Sequence, residues 1–393
     1  MVKILRVVKQ TSMVAVIVML ASARAWGVTD SSGTVVAGAL NDTGITANQC
    51  YQAGSNALVH CASPVALALS NAQDGMLGRD TNATTNLKID GKLGLSFTSV
   101  AGGCVQDNVT GLMWEVKTAD GGSRDSAKTY TNFDSTLSAQ KWNGAAAVPP
   151  TQAEIDAPTN SIGFKSIVNT QGLCGYHDWR LPSADELQSI VDYGVAFPGP
   201  AIDANWFPNT QALAYWTDSS SVGYIIFNNG FVGIGASRNG SFNVRLVRAG
   251  QLSKIPRYTL SADGQEVTDS QTRLIWRRCT EGLIWNGTTC TGKASPLSHE
   301  AALQHASAQA TSNGIPWRLP NIKELSSIAD KNLHNPATDP SAFPATPAYC
   351  RFWSATPVVG NPSQAWDLVI YSGSVNDSNR GRGSCVRLVR DGQ

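Results

Sequence analysis

The chain has 393 residues, with 30 Lys plus Arg against 29 Asp plus Glu, 42% hydrophobic and 8% aromatic content. This composition excludes an intrinsically disordered chain, and the length suggests two or three domains that can each bury a core. The 36 Gly and 18 Pro residues favour a turn-rich fold over long helices.

The first 25 residues have the pattern of a secretory signal peptide. An apolar run from Met13 to Ala21 follows three basic residues, and Ala23-Arg24-Ala25 supplies a small-x-small cleavage site. We predict cleavage rather than a membrane anchor, because this run has roughly half of the length that spans a bilayer. The segment contains four basic residues and no acidic one, so its removal changes the formal net charge from +1 to −3. We therefore expect no general attraction to nucleic acid or anionic lipid and no membrane span after cleavage.

Residues 26–100 form an N-terminal extension that is rich in Ala, Gly, Asn, Ser and Thr and has weak periodicity. We predict that it packs on the first of two domains. A loop between Cys50 and Cys61 is expected to project from it.

The rest of the chain contains one sequence pattern twice. In the central block, nine of fourteen positions are identical. A period of 138 to 162 residues is too long for a solenoid repeat, so we predict two domains with separate cores, at 101–252 and 257–393. Three blocks keep the same order in both copies, at 105–114, 179–192 and 244–248 in the first copy and at 267–276, 317–330 and 386–390 in the second.

The central block predicts a capped helix. Ser183-x-x-Glu186 and Asn321-x-x-Glu324 both follow Leu-Pro and have the spacing of a capping box. A helix of about three turns should follow, with one apolar face packed on a sheet. The residues of that face are Leu187, Ile190 and Val191 in the first copy and Leu325, Ile328 and Ala329 in the second. Arg180 and Arg318 precede Leu-Pro, and we expect each to pair with a carboxylate or to bond turn carbonyls.

The outer blocks predict strands. Asp107-x-x-Thr110-Gly111 is typical of a tight turn with a left-handed glycine, followed by a strand that buries Trp114. The closing Val-Arg-Leu-Val-Arg alternates as a strand with one apolar face does.

Taken together, these motifs resemble the Lcl C-terminal domain family of bacterial proteins. The resemblance rests on Asp-x-x-Thr-Gly-Leu-Met-Trp, Asp-Trp-Arg-Leu-Pro-x-x-x-Glu-Leu, Phe-Pro-x-Thr with a later Tyr-Trp, and the terminal Val-Arg-Leu-Val-Arg, and it covers roughly 104–250 and 263–393. It implies an α+β fold similar to the C-type-lectin-like superfamily, with twisted antiparallel strands, short flanking helices and long loops. It also implies exported or surface proteins, some linked to attachment. The second copy departs from the pattern at Arg273, where glycine is expected, and at Pro316, where Asp is expected.

The eight cysteines of an exported chain indicate disulfides. Two cysteines are missing together from each copy, and a pair that is gained or lost as a unit is what a bridge predicts. Two further pairs enclose short loops. The predicted bridges are Cys104–Cys174, Cys350–Cys385, Cys279–Cys290 and Cys50–Cys61. A redox or nucleophilic cysteine is the alternative, but it would normally show Cys-x-x-Cys or a nearby His.

No catalytic constellation appears in the sequence. The five histidines are scattered, and there is no zinc-protease helix, nucleophile elbow or phosphate-binding glycine loop. Formylglycine-generating enzymes share the general fold and use a cysteine pair, yet the resemblance brings no catalytic motif with it. The calcium-chelating motifs of C-type lectins are also missing, so calcium binding is possible without support from a lectin motif, and no other cofactor is predicted.

Several loop residues are candidates for ligand contact, each with a structural alternative. Asp203 and Asp339 occupy the same place in both copies, where they either ligate a metal or cap a turn. Aromatic rings that either stack on a sugar or pack within a loop are Trp206, Tyr224 and Trp285. Cations that either bind an anionic glycan or serve solubility are Arg238, Arg380 and Arg382.

The sequence therefore predicts an exported, non-enzymatic ligand-binding or adhesion-type protein of a bacterial envelope, which is secreted, periplasmic or associated with the cell surface. Its partner would be a surface glycan or polyanion, or an envelope protein, contacted through the loops. Two alternatives stay open. One is an oxidoreductase similar to formylglycine-generating enzymes, and the other is a structural accessory of an envelope or pilus assembly.

Overall fold

The structure, a computed structural model, describes most of the chain beyond the predicted signal peptide. Among the helices it describes, none is both long and apolar enough to cross a membrane. The signal peptide predicted at 1–25 lies outside the described residues. The described ranges are 28–29, 35–36, 40–77, 94–136, 138–218, 223–248 and 257–392.

The N-terminal extension forms short elements only. Its helix begins after Ser63, whose side chain accepts a hydrogen bond from Ala66 N, and Pro64 stands at the first helical position. A 3-10 turn follows at Asp74–Met76. The elements are β1 (Val28–Thr29), β2 (Val35–Val36), β3 (Cys50–Tyr51), β4 (Leu58–Val59) and α1 (Pro64–Leu67).

The first copy contains a four-stranded antiparallel sheet, a three-stranded hairpin unit and short helices. Its first strand, β5, belongs to the sheet although it precedes the repeated blocks. The order in the four-stranded sheet is β13-β7-β6-β5. The elements are β5 (Phe97–Val100), β6 (Cys104–Asp107), β7 (Met113–Glu115), β8 (Lys141–Trp142), β9 (Ala147–Val148), α2 (Gln152–Ile155), α3 (Ser161–Gln171), α4 (Ala184–Ser189), β10 (Ala214–Trp216), β11 (Tyr224–Ile226), β12 (Phe231–Gly233) and β13 (Val247–Arg248).

The second copy repeats this plan with longer strands. Its four-stranded sheet has the order β14-β15-β16-β22, and the buried Trp276 pairs with Val267 on one side and Val389 on the other. The elements are β14 (Tyr258–Leu260), β15 (Glu266–Asp269), β16 (Leu274–Arg277), β17 (Leu283–Trp285), β18 (Cys290–Gly292), α5 (His299–Asn313), α6 (Ile322–Ser327), β19 (Arg351–Pro357), β20 (Gln364–Val369), β21 (Ser374–Asn379) and β22 (Val389–Asp391). The described fold is thus α+β, with mostly β structure and few helices.

The predicted capping boxes are present in both copies. Ser183 and Asn321 each accept a hydrogen bond from the backbone N–H of the Glu three residues later, and the carboxylate of that Glu accepts one from the backbone N–H of the cap residue. The helices α4 and α6 have six residues each, so the predicted length of about three turns was too long. The apolar face is nevertheless buried, because Ile190 and Ile328 lie at the C-caps and still point into the core.

The two copies share one sheet and one large core. Strand β12 of the first copy pairs with β21 of the second through Val232 and Val375, which gives a six-stranded antiparallel sheet of order β10-β11-β12-β21-β20-β19. The largest cluster of buried apolar side chains contains Trp114 and Trp276 from the two four-stranded sheets. The expectation of separate cores is therefore corrected. Each hairpin unit has an edge strand with unpaired backbone groups, and joining the two edges satisfies them while both valines become buried.

The N-terminal extension packs on both copies: β5 joins the sheet of the first copy, and other parts of the extension dock on the second copy. Tyr51 and Leu69 belong to a core cluster whose other members are all in the second copy. Thr356 Oγ1 donates to the Asp74 carboxylate at 2.6 Å, and Gly54 N donates to Glu300 Oε1 at 2.9 Å. Residues of the extension thus contact the second copy, from which the whole first copy separates them in the sequence.

Candidate functional site

The arginines of the central motif are structural. Arg180 and Arg318 each form a bidentate ion pair with the capping-box glutamate, Glu186 or Glu324, with N–O distances between 2.6 and 2.8 Å. Each guanidinium also donates to the carbonyl of the following leucine. As predicted, these pairs fix the turn that presents the helix, so they are not available to a ligand.

The first arginine of the closing Val-Arg-Leu-Val-Arg block is also structural. Arg245 and Arg387 are buried, with their guanidinium groups over the rings of Phe207 and Phe343 at 5.0 and 4.7 Å. Each also donates to the threonine of the Phe-Pro-x-Thr block, Thr210 Oγ1 at 2.7 Å or Thr346 Oγ1 at 2.9 Å. The block and the closing strand therefore form one buried unit in each copy.

All eight cysteines are paired, in the four combinations predicted from the sequence: Cys50–Cys61, Cys104–Cys174, Cys279–Cys290 and Cys350–Cys385. A cysteine-based oxidoreductase requires a thiol that can become a thiolate. No cysteine in this structure supplies one.

Two of the three predicted cations are held by the protein itself. Arg380 is 5% exposed and donates to Ser55 O, Asn56 Oδ1 and His299 Nδ1. Burial, together with the charge of Arg380, lowers the pKa of His299 to about 3, so this imidazole is neutral. Arg238 pairs with Asp134 at 2.8 Å. Arg382 is exposed, and it does not lie with the other two in a common site.

The predicted stacking rings pack against other side chains of the protein. Trp206 and Tyr224 are half-buried, with the Trp206 ring centre 6.1 Å from Phe97 and the Tyr224 ring centre 5.2 Å from Phe242. Trp285 lies under the guanidinium of Arg278 at 4.3 Å. The structure brings none of these three rings together.

The two aspartates that occupy the same place in the two copies cap turns. Asp203 Oδ1 accepts a hydrogen bond from Asn205 N at 2.9 Å, and Asp339 Oδ1 accepts from Ser341 N at 2.7 Å. Over the ranges that the structure describes, no group of three or more His, Cys, Asp or Glu side chains is arranged to hold a metal ion.

A groove of about 310 Å³ lies between the two copies. One wall is the loop after α4, and we call it the first wall; it includes Tyr193 and Phe197 together with Asn229 from the β11–β12 turn. The second wall is the loop that joins β19 to β20, at 358–364, with Trp366 and Asp377 from the adjoining strands. The volume is at the lower end of the range of small-ligand sites.

The floor of the groove is aromatic, and its rim carries an exposed ring. The rings of Tyr193 and Trp366 meet edge to face with centres 5.0 Å apart, and the Tyr193 hydroxyl donates to Gly230 O at 3.0 Å. Phe197 is 67% exposed at the rim. A buried aromatic pair fixes the floor, while the free face of Phe197 is open to solvent.

Three polar groups in the groove have spare hydrogen-bonding capacity. Within the described part of the chain, nothing hydrogen-bonds or ion-pairs with the half-buried carboxylate of Asp377. Asn229 uses its Oδ1 to accept from Phe231 N at 3.0 Å, and Gln364 uses its Oε1 to accept from Asn361 Nδ2 at 2.9 Å. The amide nitrogens of these two side chains donate to no described residue. One acceptor and two donors thus remain beside an apolar surface.

A second cavity, of about 510 Å³, also lies between the copies and is charged. Its cations have partners already: Lys331 pairs with Asp185, and Arg257 donates to Asp269 Oδ2 at 2.8 Å and to Ser327 O at 2.5 Å. Burial raises the pKa of Asp218, which lies at the edge of this cavity. Asp218 and Arg257 of its lining are next in sequence to residues 219–222 and 249–256, which lie outside the described ranges, so we do not treat the cavity as a site.

Sequence reasoning did not find the groove residues. Phe197, Asn229, Gln364 and Asp377 lie outside the repeated blocks and far apart in the sequence. One available signal was Phe197-Pro198-Gly199-Pro200, an apolar ring in a stretch that cannot continue a helix. The pairing of β12 with β21, which creates the groove, leaves no pattern in the sequence.

The family model described as the Lcl C-terminal domain matches the chain at residues 103–248 and at residues 265–390. A comparison with curated proteins gives no match, and a comparison with solved structures gives none either.

Proposed function

Since the chain belongs to the Lcl C-terminal domain family, we propose that it is an exported, non-enzymatic binding protein of a bacterial envelope that captures a hydroxyl-rich glycan in the groove between its two copies. The proposal includes a C-type-lectin-like architecture for each copy. The observation that carries it is the groove itself, where an exposed ring adjoins free hydrogen-bonding groups.

The chemistry of the groove suits a sugar. One face of a pyranose ring carries C–H groups that pack on an aromatic ring, and its hydroxyls both donate and accept hydrogen bonds. Phe197 offers the ring, Asp377 offers a charged acceptor, and Asn229 and Gln364 offer donors. A hydrogen bond to an ionised group is stronger than one between neutral groups, so Asp377 should contribute most to the affinity.

A neutral glycan fits better than a polyanion. The groove lining includes one carboxylate and no Lys, Arg or His. Of the cations proposed for an anionic ligand, Arg238 and Arg380 already have protein partners. An anionic ligand would therefore meet a negative charge and no cation in the groove lining.

Export is supported by two features. Disulfides persist in oxidising compartments, and all eight cysteines are bridged. The sequence also begins with a basic, apolar and small-residue pattern typical of signal peptides. A secreted or periplasmic location follows from this proposal.

Binding without turnover is favoured over catalysis because the groove lacks a reactive pair. Its lining contains no Cys, His or Lys, and Asp377 has no second carboxylate beside it in that lining. Neither a nucleophile with its base nor an acid–base pair can be assembled from these residues.

The test is a glycan array followed by calorimetry on the oxidised mature protein. We expect binding of a neutral oligosaccharide that Asp377→Asn weakens about tenfold or more and Phe197→Ala weakens about threefold to tenfold. The matched control is Trp142→Ala, which removes a ring that is 65% exposed on β8, outside the groove lining. A chelator should leave binding unchanged.

Three outcomes would count against this proposal. The first is an array without binding at any salt concentration, and the second is equal loss of affinity in the groove variants and in Trp142→Ala. The third is capture of an envelope protein with no affinity for glycans, which would favour the structural-accessory alternative.

A further inference from the structure

A segment that lies outside both family matches contacts both walls of the groove. We call residues 40–77 the brace. On the first wall, Tyr193 N donates to Thr43 O at 2.8 Å. On the second wall, the Tyr51 hydroxyl donates to Gln364 O at 2.5 Å. The brace therefore hydrogen-bonds the backbone of both walls.

Tyr51 is held from several sides. It is fully buried, with the Arg380 guanidinium 3.7 Å from its ring centre and the His299 ring edge-on at 5.2 Å. Its backbone exchanges two hydrogen bonds with the side chain of Gln73, at 2.8 and 2.9 Å. The Cys50–Cys61 bridge closes the adjoining loop. A side chain restrained in this way presents its hydroxyl at a fixed point.

The position of the second wall depends on the Tyr51 hydroxyl, because the strand pairing at the base of this loop is weak. The pairing of β19 with β20 shifts register between Trp353 and Pro357, immediately before the wall begins. The hydrogen bond that would close the loop, from Val358 N to Gln364 O, is long at 3.5 Å. Gln364 O therefore has one short partner, and that partner is Tyr51.

The brace also holds the strand that leads into this wall. Asp74 accepts a hydrogen bond from Thr356 Oγ1 at 2.6 Å and one from Thr43 Oγ1 at 3.1 Å. Thr356 is two residues before Val358, where the wall starts. One carboxylate thus connects the part of the brace that bonds the first wall to the strand that enters the second.

We propose that Tyr51 is a positioning residue for the groove: its hydroxyl fixes the Gln364 carbonyl and so sets the distance of the second wall from the first. This inference rests on the proposed function, because it assigns the groove a ligand. Tyr51 is not among the groove-lining residues, so its effect on affinity is transmitted through the 358–364 loop. The groove is thus lined by the two copies and held in place by the brace.

The experiment uses Tyr51→Phe in the full oxidised protein, which removes the hydroxyl and keeps the stacked ring. Hydrogen exchange of the amides at 358–366 should become at least about threefold faster, and glycan affinity should fall by about threefold to tenfold. The matched control is Tyr130→Phe. Tyr130 is also buried, and its hydroxyl donates to a backbone carbonyl, Ser123 O at 3.1 Å, in a core cluster of the first copy.

In Tyr130→Phe, exchange at 358–366 and glycan affinity should match the unaltered protein even if the melting temperature falls. The exchange measurement needs no ligand, so it separates this inference from the proposed function. If the unaltered protein binds no glycan, faster exchange in Tyr51→Phe still supports the role of Tyr51 in placing the wall. Unchanged exchange at 358–366 in Tyr51→Phe would overturn the inference. If the unaltered protein binds a glycan, faster exchange with unchanged affinity in Tyr51→Phe would overturn it too.

Discussion

The two copies differ most informatively at one aligned position, Tyr193 in the first and Lys331 in the second. Both follow the capped helix, and both lie against the glycine of a hairpin turn, Gly230 or Gly373. Tyr193 points at Trp366 of the other copy and forms the aromatic floor of the groove. Lys331 instead pairs with Asp185 of the other copy at the edge of a charged cavity.

This contrast shows how two copies of one fold come to form different junctions with each other. The motifs of the two copies build the same capped helices and buried arginine units. The residue that follows the motif then decides whether the junction beside it is apolar or ionic. The loops that form the two walls of the groove also distinguish this junction from the charged one.

The largest expected difference between the copies concerns the buried arginines. Arg387 donates four hydrogen bonds, to Arg277 O, Arg278 O, Thr280 Oγ1 and Thr346 Oγ1. Arg245 donates two, to Glu115 O and Thr210 Oγ1. We expect Arg387→Met to lower the free energy of unfolding by about 3–5 kcal/mol and Arg245→Met by about 2–3 kcal/mol, because buried acceptors lose their donor. Urea denaturation of the oxidised protein measures both, and equal losses would contradict the ranking.

A smaller difference is expected for the two capping glutamates. Arg318 and Glu324 have side chains that are 8% and 11% exposed, against 32% and 20% for Arg180 and Glu186. Replacing either glutamate with glutamine keeps a capping acceptor but removes the charge. The Arg318–Glu324 pair is the more buried of the two, and without Glu324 the guanidinium keeps only the exposed carboxylate of Asp391 as an ionic partner. We therefore expect a loss of about 2–3 kcal/mol for Glu324→Gln and about 1 kcal/mol for Glu186→Gln. A larger loss for Glu186→Gln in thermal unfolding would be incompatible with this explanation.

The attachment of the brace to the second copy should depend on pH. Burial, with the nearby negative charges of Asp42 and Glu324, raises the pKa of Asp74 to about 7, against hydrogen bonds from Thr356 and Thr43 that lower it. The folded state therefore binds the proton more tightly than the unfolded chain does. The resulting stabilisation is complete below about pH 4 and is lost as the pH rises through 7. We expect unfolding free energy to fall by more than about 1 kcal/mol between pH 5 and 8.

Asp74→Asn should flatten this slope, since an amide does not titrate. Lys323 provides the control, because it lies in the same buried cluster and titrates in another window. Burial lowers the pKa of Lys323 to about 8, so the folded state favours the neutral amine. The stabilisation that this amine provides is complete above about pH 10.5 and is lost as the pH falls to 8. Lys323→Met should alter the slope above pH 8 and leave the slope between pH 5 and 7. The same slope at pH 5–8 in Asp74→Asn would refute the assignment to Asp74.

The smallest expected effect concerns the turn after the first repeated strand. Gly111 has φ +73°, and Arg273, at the same place in the second copy, keeps a left-handed conformation with φ +61°. A side chain costs about 1–2 kcal/mol in that region. We expect Arg273→Gly to raise stability by up to about 1 kcal/mol and Gly111→Arg to lower it by about 1 kcal/mol. Differential scanning calorimetry checks both, and a loss of stability in Arg273→Gly would show that the arginine side chain has contacts that outweigh the strain.

Local features of this protein could be predicted from the sequence. The capping boxes at Ser183 and Asn321 depend on residues three positions apart, and the turn at Asp107 depends on five consecutive residues. Two disulfide pairs followed from the absence of both partners in the other copy, and the other two from the short loops that they enclose. Each of these predictions compares nearby residues or two aligned copies, so no knowledge of the tertiary contacts was needed.

The sequence by itself thus determined that the domain is duplicated, how its motifs fold and which cysteines are paired. Only the tertiary structure decided that β12 and β21 join the copies into one sheet, that the brace docks on the second copy, and that Phe197 and Asp377 share a groove. The physical reason is that strand edges pair through backbone groups, which every residue except proline carries in full. Which edges meet is therefore set by the packing of the whole chain rather than by the side chains of either strand.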